Sequence, residues 1–218
     1  EVLPVERIVL SDFDEREIGY ETNQTLFDRA EEKAIVAIQK HSMHIDGSER
    51  NYDKMADAYM LLGKARYFDS RFIPAIDAFN FILSRYPSSK SIKYAIIWRA
   101  KTFVRLDNEE VAIQNLRQIV ESEHKLKPRV EADATAMIAQ AYVQMDSLRE
   151  ALPYIQQAAE TVRDKELKGR YHFIEGQIYD RLNLKDSANL AYDKVIKLHR
   201  RTLRNYYVQA HLHKIVNT

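Results

Sequence analysis

Four alanines recur at nearly constant intervals along the 218-residue chain: Ala75, Ala112, Ala151 and Ala188, separated by 37, 39 and 37 residues. Each opens the second of two amphipathic segments. A period in this range confines a chain to stacked supersecondary units, because one such unit cannot bury its apolar face alone and its neighbours must cover it. A second small series, Gly63, Ala100, Ala139 and Gly176, runs 12 residues ahead of the first. Antiparallel helices approach closely where small side chains meet, and a large one at either series would push the backbones apart. Larger positions keep step: Phe79, Leu116, Ile155 and Tyr192 follow the alanines, and then come Ile82, Ile119, Ala158 and Val195.

Helices are read over 51–69, 71–85, 92–106, 109–122, 129–145, 148–163, 166–182, 186–200 and 203–216, at the 3.6-residue period of a buried stripe. An earlier helix begins at Leu26, where Phe27, Ala30, Ala34 and Ile38 share a face, and Asp46 and Gly47 are expected to stop it. Tyr86-Pro87-Ser88-Ser89 breaks the pattern, since proline lacks an amide donor and clashes with the preceding turn. Asp107-Asn108, Asp146-Ser147 and Asn183 through Asp186 form short polar joints, each expected to cap the helix that follows. Joints this short make consecutive helices antiparallel neighbours. The expected fold is all-α, a solenoid of helix hairpins over 26–218 with units near 56–92, 93–131, 132–168 and 169–205. Residues 1–25 are expected to form an extended arm, with a disordered leader as the alternative.

Composition narrows the chemistry. The chain carries 33 Lys and Arg against 32 Asp and Glu, a formal net charge of +1, so no overall field draws it to nucleic acid. With no cysteine there is neither a disulfide framework nor a thiolate nucleophile or metal ligand. No run of 18 apolar residues suits a membrane span, and a chain opening on Glu1 is expected to be a processed product or an excised piece. No glycine-rich phosphate loop, nucleophile elbow or metalloprotease helix occurs. His41, His44 and Asp46 supply at most a weak zinc set, and His211 and His213 point to different sides of a helix. The acidic pairs Glu31-Glu32 and Glu109-Glu110 are expected at helix starts, where the dipole favours them. His172 is expected to pack in the repeat core. No catalytic residue, cofactor or metal site is expected.

The in-register small and large positions, with Tyr59, Leu62 and Pro87 in the first unit and Phe103, Tyr142 and Tyr179 at one shared position later, resemble the tetratricopeptide repeat family over about residues 56–200. The resemblance implies a right-handed superhelix that binds proteins on a concave face lined by the first helix of each hairpin. The spacing exceeds the family's roughly 34 residues, which implies longer helices or joints. A narrower set of runs resembles the repeat-containing lipoprotein of the Bacteroidetes type IX secretion and gliding motility machinery: Val2-Leu3-Pro4-Val5-Glu6, Arg29 to Ala34, Ala37 to Met43, Leu61 to Asp69, and Pro74-Ala75. That resemblance implies a periplasm-facing protein held to the outer membrane by a lipidated cysteine upstream, with secretion machinery subunits as partners. The lipidated cysteine is not in this chain.

In the repeat frame the concave face comprises Asp57, Met60, Lys64, Tyr67 and Phe68, then Tyr94, Ile97, Lys101, Val104 and Arg105, then Asp133, Ala136, Gln140, Val143 and Gln144, and last Arg170, Phe173, Gln177, Asp180 and Arg181. Apolar and aromatic residues mixed with isolated charges suit a peptide or helix groove. The alternative is that several, Phe68, Ile97 and Phe173 above all, pack against a neighbouring hairpin. A second candidate patch, Lys194, Lys197, Arg200, Arg201 and Arg204, suits an acidic protein or an anionic surface, or else simply ends a helix. The final helix is expected to open a fifth hairpin, leaving an apolar patch through which the chain self-associates.

Overall fold

The computed structural model describes residues 20–45, 48–121 and 126–217. Of the expected arm, residues 1–19 lie outside the described residues, as do Asp46 and Gly47, while residues 20–25 open the first helix. The elements are α1 (Tyr20–His41), a small antiparallel hairpin β1 (His44–Ile45) and β2 (Ser48–Glu49), α2 (Tyr52–Phe68), α3 (Phe72–Arg85), α4 (Ile92–Val104), α5 (Glu109–Val120), α6 (Pro128–Gln144), α7 (Leu148–Thr161), α8 (Lys165–Arg181), α9 (Lys185–Leu198), a 3-10 turn (His199–Arg201) and α10 (Arg204–Asn217). From α2 onward every helix starts and ends within two residues of the stretch its periodicity predicts. Helix α1 begins six residues earlier than Leu26, because apolar spacing reports only the part of a helix that has a face to bury.

The chain divides into two compact units, one ending at Ile119 and the other beginning at Val120. In the first, α1 packs on α2, α2 on α3 and α3 on α4; in the second, α6 through α10 pack each on the next. Each unit is a run of antiparallel hairpins. The expected hairpin core is present: Ala75, Ala112, Ala151 and Ala188 are fully buried, as are Phe79, Leu116 and Tyr192.

The small series has a sharper cause than helix crossing alone. A Cβ placed on Gly63 would lie 2.7 Å from Phe79 Cζ, and one on Gly176 would lie 2.5 Å from Tyr192 Cε1. Glycine therefore stands where the second helix contributes a ring, and alanine, as Ala100 and Ala139, where it contributes Leu116 or Ile155. A small residue facing a ring and a slightly larger one facing an aliphatic side chain keep the summed volume of the two positions nearly constant.

The joints also work differently from the capping expectation. Ser70, Asp107, Asp146 and Asn183 adopt positive φ, from 55° to 60°, at the same 37, 39 and 37 spacing. After each, the next amide reaches back five residues: Arg71 N to Arg66 O at 2.8 Å, Asn108 N to Phe103 O at 3.0 Å, Ser147 N to Tyr142 O at 2.9 Å and Leu184 N to Tyr179 O at 3.0 Å. These are left-handed caps that close the preceding helix by satisfying its last carbonyls. Ser147 makes no side-chain cap bond to α7, and the residue before α9 is Leu184. Short polar side chains serve here because they tolerate the left-handed region better than other non-glycine residues.

Helix α1 is fixed by Ala34 against Leu62 and Ala78, by Phe27 stacked on Phe68 at 5.5 Å, and by Glu31. Far from starting a helix, Glu31 sits in the middle of α1, paired with Arg71 and, at 2.9 Å, with Arg66. Arg66 also donates to Pro74 O at 3.1 Å, so one guanidinium ties α1 and α2 to the start of α3.

In an open helix Gly→Ala stabilises by about 0.5–1 kcal/mol. At Gly63 the ring outweighs that gain, and we expect G63A to lose about 1–3 kcal/mol in denaturant melts. Adding Phe79→Leu, which reproduces the Ala100 and Leu116 pair, should return part of the loss, with a coupling of at least about 0.5 kcal/mol in a double-mutant cycle. Strictly additive losses would show that the glycine answers to something other than the ring.

Candidate protein-binding faces

In the first unit, helices α2 and α4 bring most of the expected residues together around Trp98, the chain's single tryptophan. Lys64 Nζ from α2 and Lys101 Nζ from α4 each lie 4.8 Å from the centroid of the Trp98 ring. Tyr67 and Phe68 meet that ring edge-on at 5.4 and 5.7 Å, and Phe72 joins through Tyr67 at 5.8 Å. Arg105 places its guanidinium 4.8 Å from the Phe72 ring and 5.8 Å from Tyr67. Cations held on ring faces gain from the ring quadrupole. Asp57 is exposed and accepts from Ser91 Oγ at 2.5 Å, and Tyr94 is half-buried. Met60, Tyr67 and Ile97 are buried, so their contribution is to support the face rather than to form its outermost surface. Trp98 was not among the expected residues. Its signal was its place on α4, four residues after Tyr94, three before Lys101 and seven before Arg105, which puts all four on one helical side.

The second unit is built differently. Gln140, Phe173 and Gln177 are buried, Gln144 and Arg170 are half-buried, and Arg181 is exposed, 3.3 Å from Asp146. Phe173 lies within 5.3 Å of the Tyr206 ring and 5.7 Å of His213, so α10 covers it. Asp180, expected on the concave face, instead faces inward and gathers three elements. Tyr192 of α9 donates to its Oδ2 at 2.6 Å, His213 Nδ1 of α10 lies 2.9 Å from the same oxygen, and Asn217 donates to Oδ1 at 2.6 Å. Burial raises the pKa of Asp180, but these three hydrogen bonds outweigh it and hold the carboxyl below its usual range. Burial and the neighbouring Asp180 push the Tyr192 phenol well up.

Glu175 forms a second inward network. His172 Nδ1 stands 2.9 Å from it, Gln156 donates at 3.2 Å, and Lys194 Nζ approaches both oxygens at 3.3 and 3.4 Å. Burial raises this carboxyl as well, and the bond from His172 with the charge of Lys194 brings it below the usual value. His172 is buried, as its repeat position implies, and Lys194 leaves the expected basic patch to serve Glu175. Lys197, Arg200, Arg201 and Arg204 remain exposed around the 3-10 turn.

The acid, imidazole and phenol of Asp180, His213 and Tyr192 are partners of one another, with His213 only 3% exposed, so they hold α8, α9 and α10 together. Among the described residues no three His, Cys, Asp or Glu side chains are grouped to hold a metal ion, and no helix is long and apolar enough to cross a membrane.

The crystal structure of MamA protein matches this chain with a TM-score of 0.55 and 21% sequence identity, covering 74% of this chain and 84% of that one. The fold is tetratricopeptide-like. At that identity the likeness speaks for architecture alone. No family model matches the chain, and no curated protein matches it. The narrower resemblance to the type IX lipoprotein therefore rests on its sequence runs.

Glu31, Glu175 and Asp180 all have folded pKa values below the ordinary 4.5 for Glu and 3.8 for Asp. Each binds its proton more readily in the unfolded chain, so its contribution is complete above the ordinary value and is lost as pH falls through the lowered folded one. Thermal midpoints should drop as pH is taken below about 4.5. Asp180→Asn should melt lower than the parent at pH 7 and show a shallower acid loss. An equally steep acid loss in that variant would remove Asp180 from the account.

Proposed function

We propose that the chain is a non-catalytic adaptor that holds another protein on the face formed by α2 and α4. The observation that carries this is the Trp98 ring with ammonium groups of two successive first helices at 4.8 Å each. A face of rings and cations suits a segment carrying apolar side chains and carboxylates, since the rings supply contact area and the cations supply register and on-rate. The exposed cluster of Lys197, Arg200, Arg201 and Arg204 is a second surface of the same sign. On α10, Val208, Leu212, Ile215 and Val216 are exposed and offer an apolar row for self-association. Because Trp98 is the single tryptophan, its emission reports on the α2 and α4 face alone. Titration with peptides that mix Asp or Glu with aromatic residues should shift that emission, with affinity falling as salt rises. Lys64→Glu with Lys101→Glu should weaken binding at least about tenfold at unchanged thermal midpoint. Binding indifferent to both changes would move the partner elsewhere.

A narrower reading makes the chain a cell-envelope component, facing the periplasm at the outer membrane, that supports type IX secretion and gliding motility. The runs from Val2-Leu3-Pro4 to Pro74-Ala75 favour it. On this reading the chain, expressed in a bacterium that has the machinery, co-purifies with machinery subunits from the envelope fraction and loses them on Lys64→Glu with Lys101→Glu. Recovery from the envelope without those subunits would leave the general adaptor and remove the specific assignment.

A further inference from the structure

A cavity of about 540 Å³ lies in the first unit between the end of α1, the β1–β2 hairpin, α2 and α3. Its size is that of a site for a small molecule or a long side chain. Four of its lining residues are aromatic. Tyr59 and Phe81 stack with centroids 4.2 Å apart, Tyr86 stands 6.0 Å from Phe81 at 61°, and Tyr52 meets Tyr86 edge-on at 5.0 Å and 86°. Ile38 and Met55 add apolar lining.

One carboxylate belongs to this ring of walls. Glu49 accepts from Met43 N at 2.9 Å, Asn51 N at 3.1 Å and Ser42 Oγ at 2.8 Å, so the β-hairpin fixes it in place. The Met43 amide leads the effects that keep Glu49 ionised, holding it below the usual carboxylate range. Burial, and then the charge of Glu49, push the Tyr86 phenol up, against the smaller opposing effect of Arg85. His44 Nδ1 lies 3.6 Å from Glu49 and its side chain is mostly exposed. Arg85 is exposed as well.

Ring faces carry negative potential, and rings set at steep angles to one another surround a space with several such faces. A fixed carboxylate adds a full charge of the same sign. A small metal ion would need a shell of oxygen ligands at about 2.0–2.6 Å, which rings do not provide. An anion would find Arg85 favourable but would meet Glu49 and the ring faces with the wrong sign. A weakly hydrated organic cation gains from both. We propose that this cavity binds an alkylammonium head, the group carried by lysine, by methylated lysine and by small quaternary amines. The rings form the walls, Glu49 is the counter-ion, and Arg85 at the mouth meets any acid next to that head. This site is separate from the α2 and α4 face around Trp98, and it stands whether or not that face binds a peptide.

The test uses the full chain, aromatic side-chain NMR shifts and four probes: tetramethylammonium, acetyl-lysine amide, its trimethyl-ammonium form, and 3,3-dimethylbutanol as an uncharged match in shape. The three cations should shift the Tyr59, Phe81 and Tyr86 rings saturably, and the alcohol should bind at least about tenfold more weakly. Tighter binding of the lysine amides than of tetramethylammonium assigns the head to a partner's side chain, and the reverse order assigns it to a free amine. Glu49→Gln and Tyr59→Leu should each weaken the cations about tenfold and leave the alcohol unchanged. Because Glu49 also braces the hairpin, thermal melts accompany both variants, and the comparison of cation with alcohol in the parent chain stands without them. Equal binding of the alcohol, no ring shift from any cation at about 10 mM, or undiminished binding by a folded Y59L variant would each overturn the proposal.

Discussion

The structure depends on how closely two helices of one hairpin approach, and that distance is set by a matched pair of side chains. Where α3 and α9 contribute Phe79 and Tyr192, α2 and α8 carry glycine; where α5 and α7 contribute Leu116 and Ile155, α4 and α6 carry alanine. Volume is conserved across the pair, as close packing requires. This explains why the small series is not uniform and why the repeat tolerates changes in its large positions. Tyr192 shows how far the pairing reaches: its ring needs Gly176, and its hydroxyl, delivered by the same rotamer, bonds to Asp180 and so orders α10 as well.

Helices, their order and their antiparallel pairing were legible because each is encoded locally or at a fixed period. Apolar spacing reports the buried face, and alanines at 37, 39 and 37 fix the phase. The joints were located but misread. Asp107, Asp146 and Asn183 look like starts of the next helix because the same residue types favour N-caps, yet their positive φ and the backward amide bonds make them ends of the previous one. Ser70, another residue type that favours N-caps, does the same work. Only the spacing, identical to that of the alanines, could have grouped the four.

The candidate surfaces were legible in part as positions on the fold. Lys64, Lys101 and Arg105 follow from the repeat frame, while Trp98 follows from counting along α4. The second unit was harder, because whether Phe173 or Asp180 faces outward depends on α10, whose partners are more than 30 residues away in sequence for Asp180 and His213. The tyrosine-walled cavity was not legible at all. Its counter-ion comes from the β-hairpin, a pair of two-residue strands too short to show any periodicity, and its walls come from two helices and the turn after α3.

Both units hold carboxylates among partners, Glu31 in the first and Glu175 and Asp180 in the second, but they differ in how their exposed-face charges are held. In the second, Glu175 is buried and Asp180 half-buried, each held by hydrogen bonds from two or more elements, and the arrangement favours one geometry over any other. In the first, the cations of α2 and α4 rest on aromatic faces. Such contacts are weaker than buried ion pairs and adapt to a newcomer, because a ring face accepts a cation over a range of positions. A surface that receives a partner needs that tolerance in its outermost layer and stiffness beneath. Here the stiffness comes from Met60, Ile97 and the Gly63–Phe79 contact below, and from Arg99, which donates to Asn80 of α3 at 2.9 Å and to Asn115 of α5 at 3.3 Å. The Trp98 face thus lays rings and half-buried cations over a closely packed hairpin.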